Sequence, residues 1–445
     1  MTLATSRPRP LPLAVLLVPL LVLVAGACGG DDDSAVSTAS PRTPQLATLP
    51  PAVSPGPGVT DGEIKLGMTN DLKAVGGTPY AAVTSAVQAF LAKANQEDGG
   101  VCGRRIVLIA EDDQYTPELA LQKTRKLVEE DGVLAVIGAL GTPLHALVAP
   151  YLNDPNGDGN TDDGIPDLFL STGWSGWGDV GKFPWSIGFI PDYRSDAQII
   201  GRYINSGFKD KKVGILYQND DFGKDYLDGL KGVLASAALL VSEQPYEAAA
   251  TDVAEQVKSI RDAGAEVVVL ASTPEFTAKA FAIAKAEGYK PQFLLSYVNS
   301  PSILARDIGG GTSPDQLIAG FAALAGTIVT DYLLSPVEHA EDPAIIEHRR
   351  IMQTFDGPSV SSLSVYGQSL GEAVVKALSG ACANLTRRGL LQAAESIRGF
   401  RTTLLAPGIE IDLGPDDHHA IQAMQPLEIQ ADGNLERLGD PIAAQ

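Results

Sequence analysis

The sequence predicts an α/β protein built as two doubly wound parallel-sheet lobes. Short apolar runs of strand length alternate with stretches of helical periodicity from residue 58 onward. Runs such as LAVIG at 134–138 and VVVLA at 267–271 lack polar alternation, the pattern of strands covered on both faces. The alternation then restarts after Pro191, giving two consecutive units of similar make-up.

In the first unit, EIKLGMT at 63–69 alternates like a strand. Val83, Ala86, Val87, Phe90, Leu91 and Ala94 share one helical face, and Gly99-Gly100 ends that helix. A strand follows at 106–110. A helix at 117–130 begins on Pro117 and stops at Asp131-Gly132. Then come a strand at 134–138, a helix at 143–152 and a strand at 166–170. The second unit opens after Pro191-Asp192-Tyr193-Arg194. It reads as a helix at 196–205, a strand at 212–217 and a helix at 222–235. A helix marked by Val253, Val257, Ile260 and Ala263 follows, then a strand at 267–271, a helix at 276–287 and a strand at 293–296. The tail reads as helices at 343–355, 367–378 and 386–396. A hairpin closes it, with a strand at 425–430 and a turn at Asp432-Gly433-Asn434.

The start of the chain has another character. Residues 1–10 carry Arg7 and Arg9 and no acid, and 11–24 are almost entirely Leu, Val, Ala and Pro. This is the layout of a secretory signal, too short and too broken by proline to span a bilayer comfortably. Val24-Ala25-Gly26-Ala27-Cys28 is similar to a bacterial lipobox, which implies cleavage before Cys28 and acylation of its thiol. Residues 28–58 lack large apolar side chains and read as a flexible, lipid-anchored tether. The expected location is extracytoplasmic, anchored to the bacterial cell membrane. With Cys28 acylated, Cys102 and Cys382 remain, and two lone thiols outside the cytoplasm are expected to join as a disulfide. The formal net charge is −21, and removing the signal takes away two arginines and no acid. Nucleic acid is therefore excluded as a partner of the general surface.

NDPNGDGNTDDG at 153–164 places Asp154, Asn156, Asp158, Asn160 and Asp162 at every second position around Gly159. Oxygen ligands alternating around a glycine turn are what a calcium loop uses. The position where an EF-hand has its bidentate Glu holds Ile165, so the expectation is a structural Ca2+ clip of a shorter, non-EF-hand kind. No other cofactor is expected. The loop lies at the amino end of the strand at 166–170, on the far side of its lobe.

In open α/β sheets, ligands sit outside the carboxyl ends of the strands. The loops there hold Gly141-Thr142, Trp174-Ser175, Phe222, Thr273, Glu275 and Tyr297. Thr142 and Ser175 stand at helix or turn starts, where a hydroxyl and free amides hold a carboxylate or simply cap the helix. The aromatic side chains suit an apolar group or packing between lobes.

The chain resembles the extracytoplasmic solute-binding proteins of ABC importers, of the leucine/isoleucine/valine-binding type. The resemblance is carried by GVTDGEIKLGMT (58–69), EDDQYTPELALQKTRKLVEEDGVLAVIGALGTP (111–143), LYQNDDFGKDYLDGLK (216–231) and GAEVVVLASTPEFTAKAFAIAKAEGYKPQFLL (264–295). It implies the class I periplasmic-binding-protein fold, with lobes joined by a three-strand hinge. The crossings are expected near 191–193, 322–330 and 406–412. Lobe one then comprises 59–191 plus about 328–406, and lobe two 192–327 plus about 407–445. It also implies a ligand carboxylate held by Gly141, Thr142, Trp174 and Ser175, and lobe-two contacts from Phe222, Thr273, Glu275 and Tyr297. Tyr297 stands where amino-acid binders place an acid for the ammonium group. Either Glu275 or Asp221 substitutes, or the ligand is an aromatic or keto acid or an amide. The implied partners are an ABC permease and its ATPase subunits. The implied mechanism is hinge closure without covalent chemistry, so no enzyme is expected.

Two other readings compete. Gly367-Gln368-Ser369-Leu370-Gly371 matches the G-x-S-x-G elbow of an α/β-hydrolase, with Asp412, Asp416 or Asp417 and His418 or His419 following in triad order. Against it, the helical spacing runs straight through the motif. A ligand-sensing domain of a receptor is the other reading. The histidines, His418-His419 included, are read as surface residues and not zinc ligands.

Overall fold

The structure, a computed structural model, describes residues 54–74 and 79–443. The signal, Cys28 and most of the tether lie outside the described residues.

The first sheet holds β1 (Glu63–Asn70), β2 (Arg105–Asp112), β3 (Ala135–Ile137), β4 (Asp167–Leu170) and β5 (Ser186–Gly188). Their order is β2-β1-β3-β4-β5, and every pairing is parallel. Alternation in β1 sends Ile64, Leu66 and Met68 to one face, where they pack with Val83, Val87 and Leu91 of α1 (Ala81–Glu97). The other face is covered by α2 (Pro117–Arg125), extended by a wider turn to Glu130, and by α3 (Thr142–Asn153). Leu144, Val148 and Leu152 of α3 close over Val136 and Leu170 there. Helices on both faces leave no side of the parallel sheet wet, which is why its strands read as plain apolar runs.

The second sheet contains β6 (Val213–Gln218), β7 (Leu240–Tyr246), β8 (Val267–Ala271), β9 (Gln292–Leu295), β10 (Ile328–Asp331), β11 (Ala423–Ile429) and β12 (Leu435–Arg437). The order is β12-β11-β10-β9-β8-β6-β7, parallel from β7 to β10 and antiparallel at β11 and β12. β13 (Ile442–Ala443) adds to β11. Its helices are α4 (Tyr193–Gly207), α5 (Asp221–Val233), α6 (Ala254–Asp262), α7 (Pro274–Ala286), α8 (Pro301–Gly309) and α9 (Pro314–Leu324). β7, α8 and α9 escape the sequence reading. β7 contains Pro245, which is tolerated because β7 is an edge strand. In the tail, α10 (Pro343–Thr354) and α11 (Ser362–Gly380) return to pack on α1, and α12 (Arg387–Glu395) packs on α11. Cys102 and Cys382 are disulfide-bonded with Cα atoms 5.4 Å apart, tying the loop before β2 to the end of α11.

The chain crosses between lobes three times. The first crossing lies between β5 and α4. The second lies after β10, at 332–334, and not at 322–330. β10 pairs in parallel with β9, so 328–331 belong to the second lobe. The third lies near 420–423 and not at 406–412. His419 still bridges Gly188 of the first sheet before β11 joins the second. Residues 407–419 therefore extend lobe one.

Candidate functional site

Strand order reverses between β1 and β3 in one sheet and between β6 and β8 in the other. Loops leaving the carboxyl ends diverge at such points and open a crevice. Here the crevices of the two lobes face each other and enclose a cavity of about 130 Å³. The first lobe contributes Tyr80, Tyr115, Leu140, Gly141, Thr142 and Ser171. The second contributes Gln218, Phe222, Thr273, Tyr297 and Val298, and the crossings add Ile190, Tyr193, Tyr332 and Leu333. Five of the expected residues thus meet in one place: Gly141, Thr142, Phe222, Thr273 and Tyr297.

Each of these is held from behind. Gly141 has φ 102°, and a Cβ there would come within 3.0 Å of the Tyr115 ring, so glycine lets the tyrosine lie against the backbone. Thr142 opens α3, and its hydroxyl shares a 2.7 Å hydrogen bond with that of Thr172. The first amides of α3 have no partner inside the helix and favour an anion. Across the cleft, the Asp220 carboxylate accepts the Phe222 and Gly223 amides at 3.0 and 3.4 Å and the Gln218 side-chain amide at 2.6 Å. This cap fixes the Phe222 ring 4.6 Å from that of Tyr193. Behind Tyr297, the fully buried Asp196 accepts hydrogen bonds from the Tyr226 hydroxyl, from Thr330 at 2.5 Å and from the Tyr297 amide at 3.3 Å. Burial pushes the Asp196 carboxyl up to about 6 despite these donors. The Tyr297 hydroxyl donates to the Pro191 carbonyl at the first crossing.

Three expected residues lie elsewhere. Trp174 turns away, through the tight turn Ser175–Gly178, into a cluster with Trp177 and Phe183 at 4.9 and 5.9 Å. Ser175 donates its amide and hydroxyl to Asp225 of α5 at 2.6 and 2.8 Å. Asp225 is 3% exposed and also meets Arg194 at 3.2 Å, so it joins a first-lobe loop to the second lobe. Glu275 sits at the rim, paired with Lys279, in a recess that shares Tyr80, Tyr115 and Thr273 with the cavity. The sequence reading missed Tyr80 and Tyr115. Tyr80 and Tyr115 lie in the loops after β1 and β2, so their place at strand ends was the available signal.

The hydrolase motif and the histidines have a structural answer. Ser369 lies inside α11, fully buried, with its hydroxyl 2.7 Å from that of Thr402. A continuous helix replaces the strand and sharp turn that a nucleophile elbow needs. His418 is buried rather than on the surface, bonded to the Ser186 carbonyl and to Glu395. His145 is likewise buried against Asp167 at 2.6 Å, and His348 against Gln368 and Ser364. In the loop at 153–164, Asp154 accepts the amides of Gly157, Asp158 and Gly159. Asn156, Asp158 and Asn160 each accept the amide two residues on. These side chains form a run of Asx turns. Among the described residues no group of three His, Cys, Asp or Glu is gathered for a metal. Nor, among them, is any helix long and apolar enough to cross a membrane.

Two α/β lobes linked by three crossings, with a cleft walled by the strand-end loops of both, define a two-lobed binding protein of the class I periplasmic-binding-protein fold. A family model described as periplasmic binding protein matches residues 63–434, and the chain belongs to that family. It is 24% identical over 182 residues to "Leu/Ile/Val-binding protein homolog 3" of Brucella melitensis, covering 38% of this chain and 44% of that one. It is 28% identical over 180 residues to "Amino acid binding protein" of Pseudomonas aeruginosa, covering 38% and 43%. The matched stretch thus spans less than half of either relative. Among solved structures, the fatty acid ABC transporter substrate-binding protein from Thermomonospora curvata superposes with a TM-score of 0.69 at 25% identity, over 88% of this chain and 95% of that one. A valine-bound branched-chain amino acid ABC transporter protein from Thermus thermophilus gives 0.73 at 18% identity, over 86% and 97%.

Proposed function

We propose that this chain is the lipid-anchored solute-binding protein of an ABC importer, capturing a small carboxylate-bearing ligand in the cleft between its lobes. The observation that carries this is the meeting of Gly141 and Thr142 from one lobe with Phe222, Thr273 and Tyr297 from the other around one cavity. A ligand touching both walls binds the closed arrangement better than the open one and so shifts the hinge toward closure. The closed pair of lobes then presents a joint surface to a permease, and a partner ATPase supplies the energy. Acylation of Cys28 and the acidic tether after it keep the protein near that permease. Relatives named for amino acids and for a fatty acid support a carboxylate ligand. Thermal-shift screening of a library of amino, keto, aryl and alkyl carboxylic acids tests the reading. A stabilising compound that binds one protein per molecule supports it, and a library without any such compound contradicts it. A calcium ion at 153–164 is a separate proposal, resting on the spacing of the loop's oxygens.

A further inference from the structure

We propose that the ligand of this cleft carries a positively charged nitrogen and that Asp331 is the residue that selects it; this deepens, and rests on, the solute-binding reading. Asp331 ends β10, next to the second crossing, and lines the cavity. Among the described residues lining the cavity it is the one Asp or Glu, and none is Lys, Arg or His. Its Oδ1 accepts the amides of Tyr332 and Leu333 at 2.7 and 3.0 Å. Those bonds fix the carboxyl group on the backbone of the crossing, and Oδ2 is left without a hydrogen bond or ion pair among the described residues. Burial lifts the carboxyl to about 6, with Glu338 adding repulsion and His339 opposing it. A carboxylate drawn from water and short of a partner gains more from a cation than from any neutral group on this wall. The two acids that the sequence offers for an ammonium group are placed otherwise. Glu275 is paired with Lys279 at the rim, and Asp221 opens α5 and is not among the lining residues.

The rest of the wall suits the same charge. Tyr332 follows Asp331 in the chain, and its ring meets Tyr297 edge-on at 5.6 Å, with Tyr193 at 6.0 Å from Tyr297. All three line the cavity. The electron-rich faces of such rings attract a cation and repel an anion. Ser300 and Ser362 bring hydroxyls to the same wall, and Ser362 shares with Asp331 a small recess beside the cavity. Hydroxyl oxygens accept the N–H groups that one carboxylate oxygen leaves over. The formal net charge of −21 acts in the same direction, drawing cations toward the protein. A ligand carboxylate meets no cation on this wall and has neutral donors such as the amides at the start of α3. The nitrogen therefore carries the larger share of selection.

Calorimetric titration with two matched sets of compounds tests the proposal. One set is L-phenylalanine, 3-phenylpropionate and 2-phenylethylamine; the other is L-leucine, 4-methylpentanoate and 3-methylbutylamine. In at least one set the tightest compound is expected to carry the nitrogen, with the nitrogen-free acid roughly 100-fold weaker. Asp331→Asn keeps an oxygen for the Tyr332 and Leu333 amides and removes the charge, so the ligand-free melting temperature should not fall. It is expected to weaken the nitrogen compound roughly 100-fold and to leave the nitrogen-free acid within about threefold. A nitrogen-free acid that binds as tightly as its partners overturns the proposal, and solute binding itself stands. A nitrogen compound whose affinity Asp331→Asn leaves unchanged overturns it too. If the amines alone bind, the nitrogen stands and the carboxylate of the solute-binding reading falls. Silence of all six compounds removes the proposal, and the solute-binding reading is then decided by the wider acid library.

Discussion

The walls of the cleft and the loop at 153–164 look alike in sequence, since both are polar, glycine-bearing turns beside strands, yet they differ in what their polar atoms have left to offer. In the loop, Asp154, Asn156, Asp158 and Asn160 each turn an oxygen toward an amide a few residues away. In the cleft, the caps and anchors sit one layer back, at Asp220 and Asp196, and the surface facing the cavity keeps rings and hydroxyls. Polar spacing along the chain marks a turn. A ligand cleft requires groups from distant segments to converge.

The largest effect that sharpens this contrast concerns the buried anchor of the cleft. Asp196 titrates at about 6 in the folded protein against an ordinary 3.8. Its contribution to stability is fully present below 3.8 and is lost as pH rises through about 6, a change on the order of 3 kcal/mol. Asp331, also raised to about 6 by burial, acts with the same sign. Chemical denaturation of the wild type should therefore show stability falling from pH 4 to pH 7, and Asp196→Asn should make that fall shallower, with Asp331 and Asp113, raised to about 6 and about 7 by burial, left to carry the rest. Next comes the contact between lobes. Asp225→Ala strips the Ser175 amide and Arg194 of their acceptor, and is expected to cost about 2 kcal/mol in denaturant unfolding. The loop itself should respond least. Asp154→Ala removes three hydrogen bonds and leaves the exposed Gly159 amide without its acceptor, and should cost about 1 kcal/mol without changing ligand affinity. A ligand affinity that moves with Asp154 would break the contrast. The calcium proposal is tested beside it: a calcium-dependent rise in melting temperature that Asp158→Ala abolishes supports the ion, and a parent protein indifferent to calcium sinks it.

Much of the fold was legible because strands buried on both faces write themselves as unbroken Val, Ile and Leu runs, and the helices between them keep one apolar face. The hinge was less so. IVTD of β10 carries the same apolar signal whichever sheet it joins, so nothing local shows that it pairs with β9. Residues 400–421 are held by isolated bridges and tertiary contacts, without a period to read. At the site, Thr142 and Phe222 were legible from strand-end position, because helix starts at the switch points must face the crevice. Trp174 shares that position, but a four-residue turn rotates it into the Trp177 cluster, and such a turn leaves no mark on the pattern. Trp185, packed under Arg388 and bonded to the Thr161 carbonyl, likewise tells of tertiary support for the 153–164 loop that spacing alone does not carry.

The proposed grip holds ligand between Thr142 of one lobe and Phe222 of the other. Isothermal titration of the compound giving the largest thermal shift, into the wild type and into a Thr142→Ala, Phe222→Ala double variant, tests it most directly. The dissociation constant is expected to rise about 100-fold in the double variant, with its fold intact by circular dichroism. An unchanged dissociation constant would contradict it.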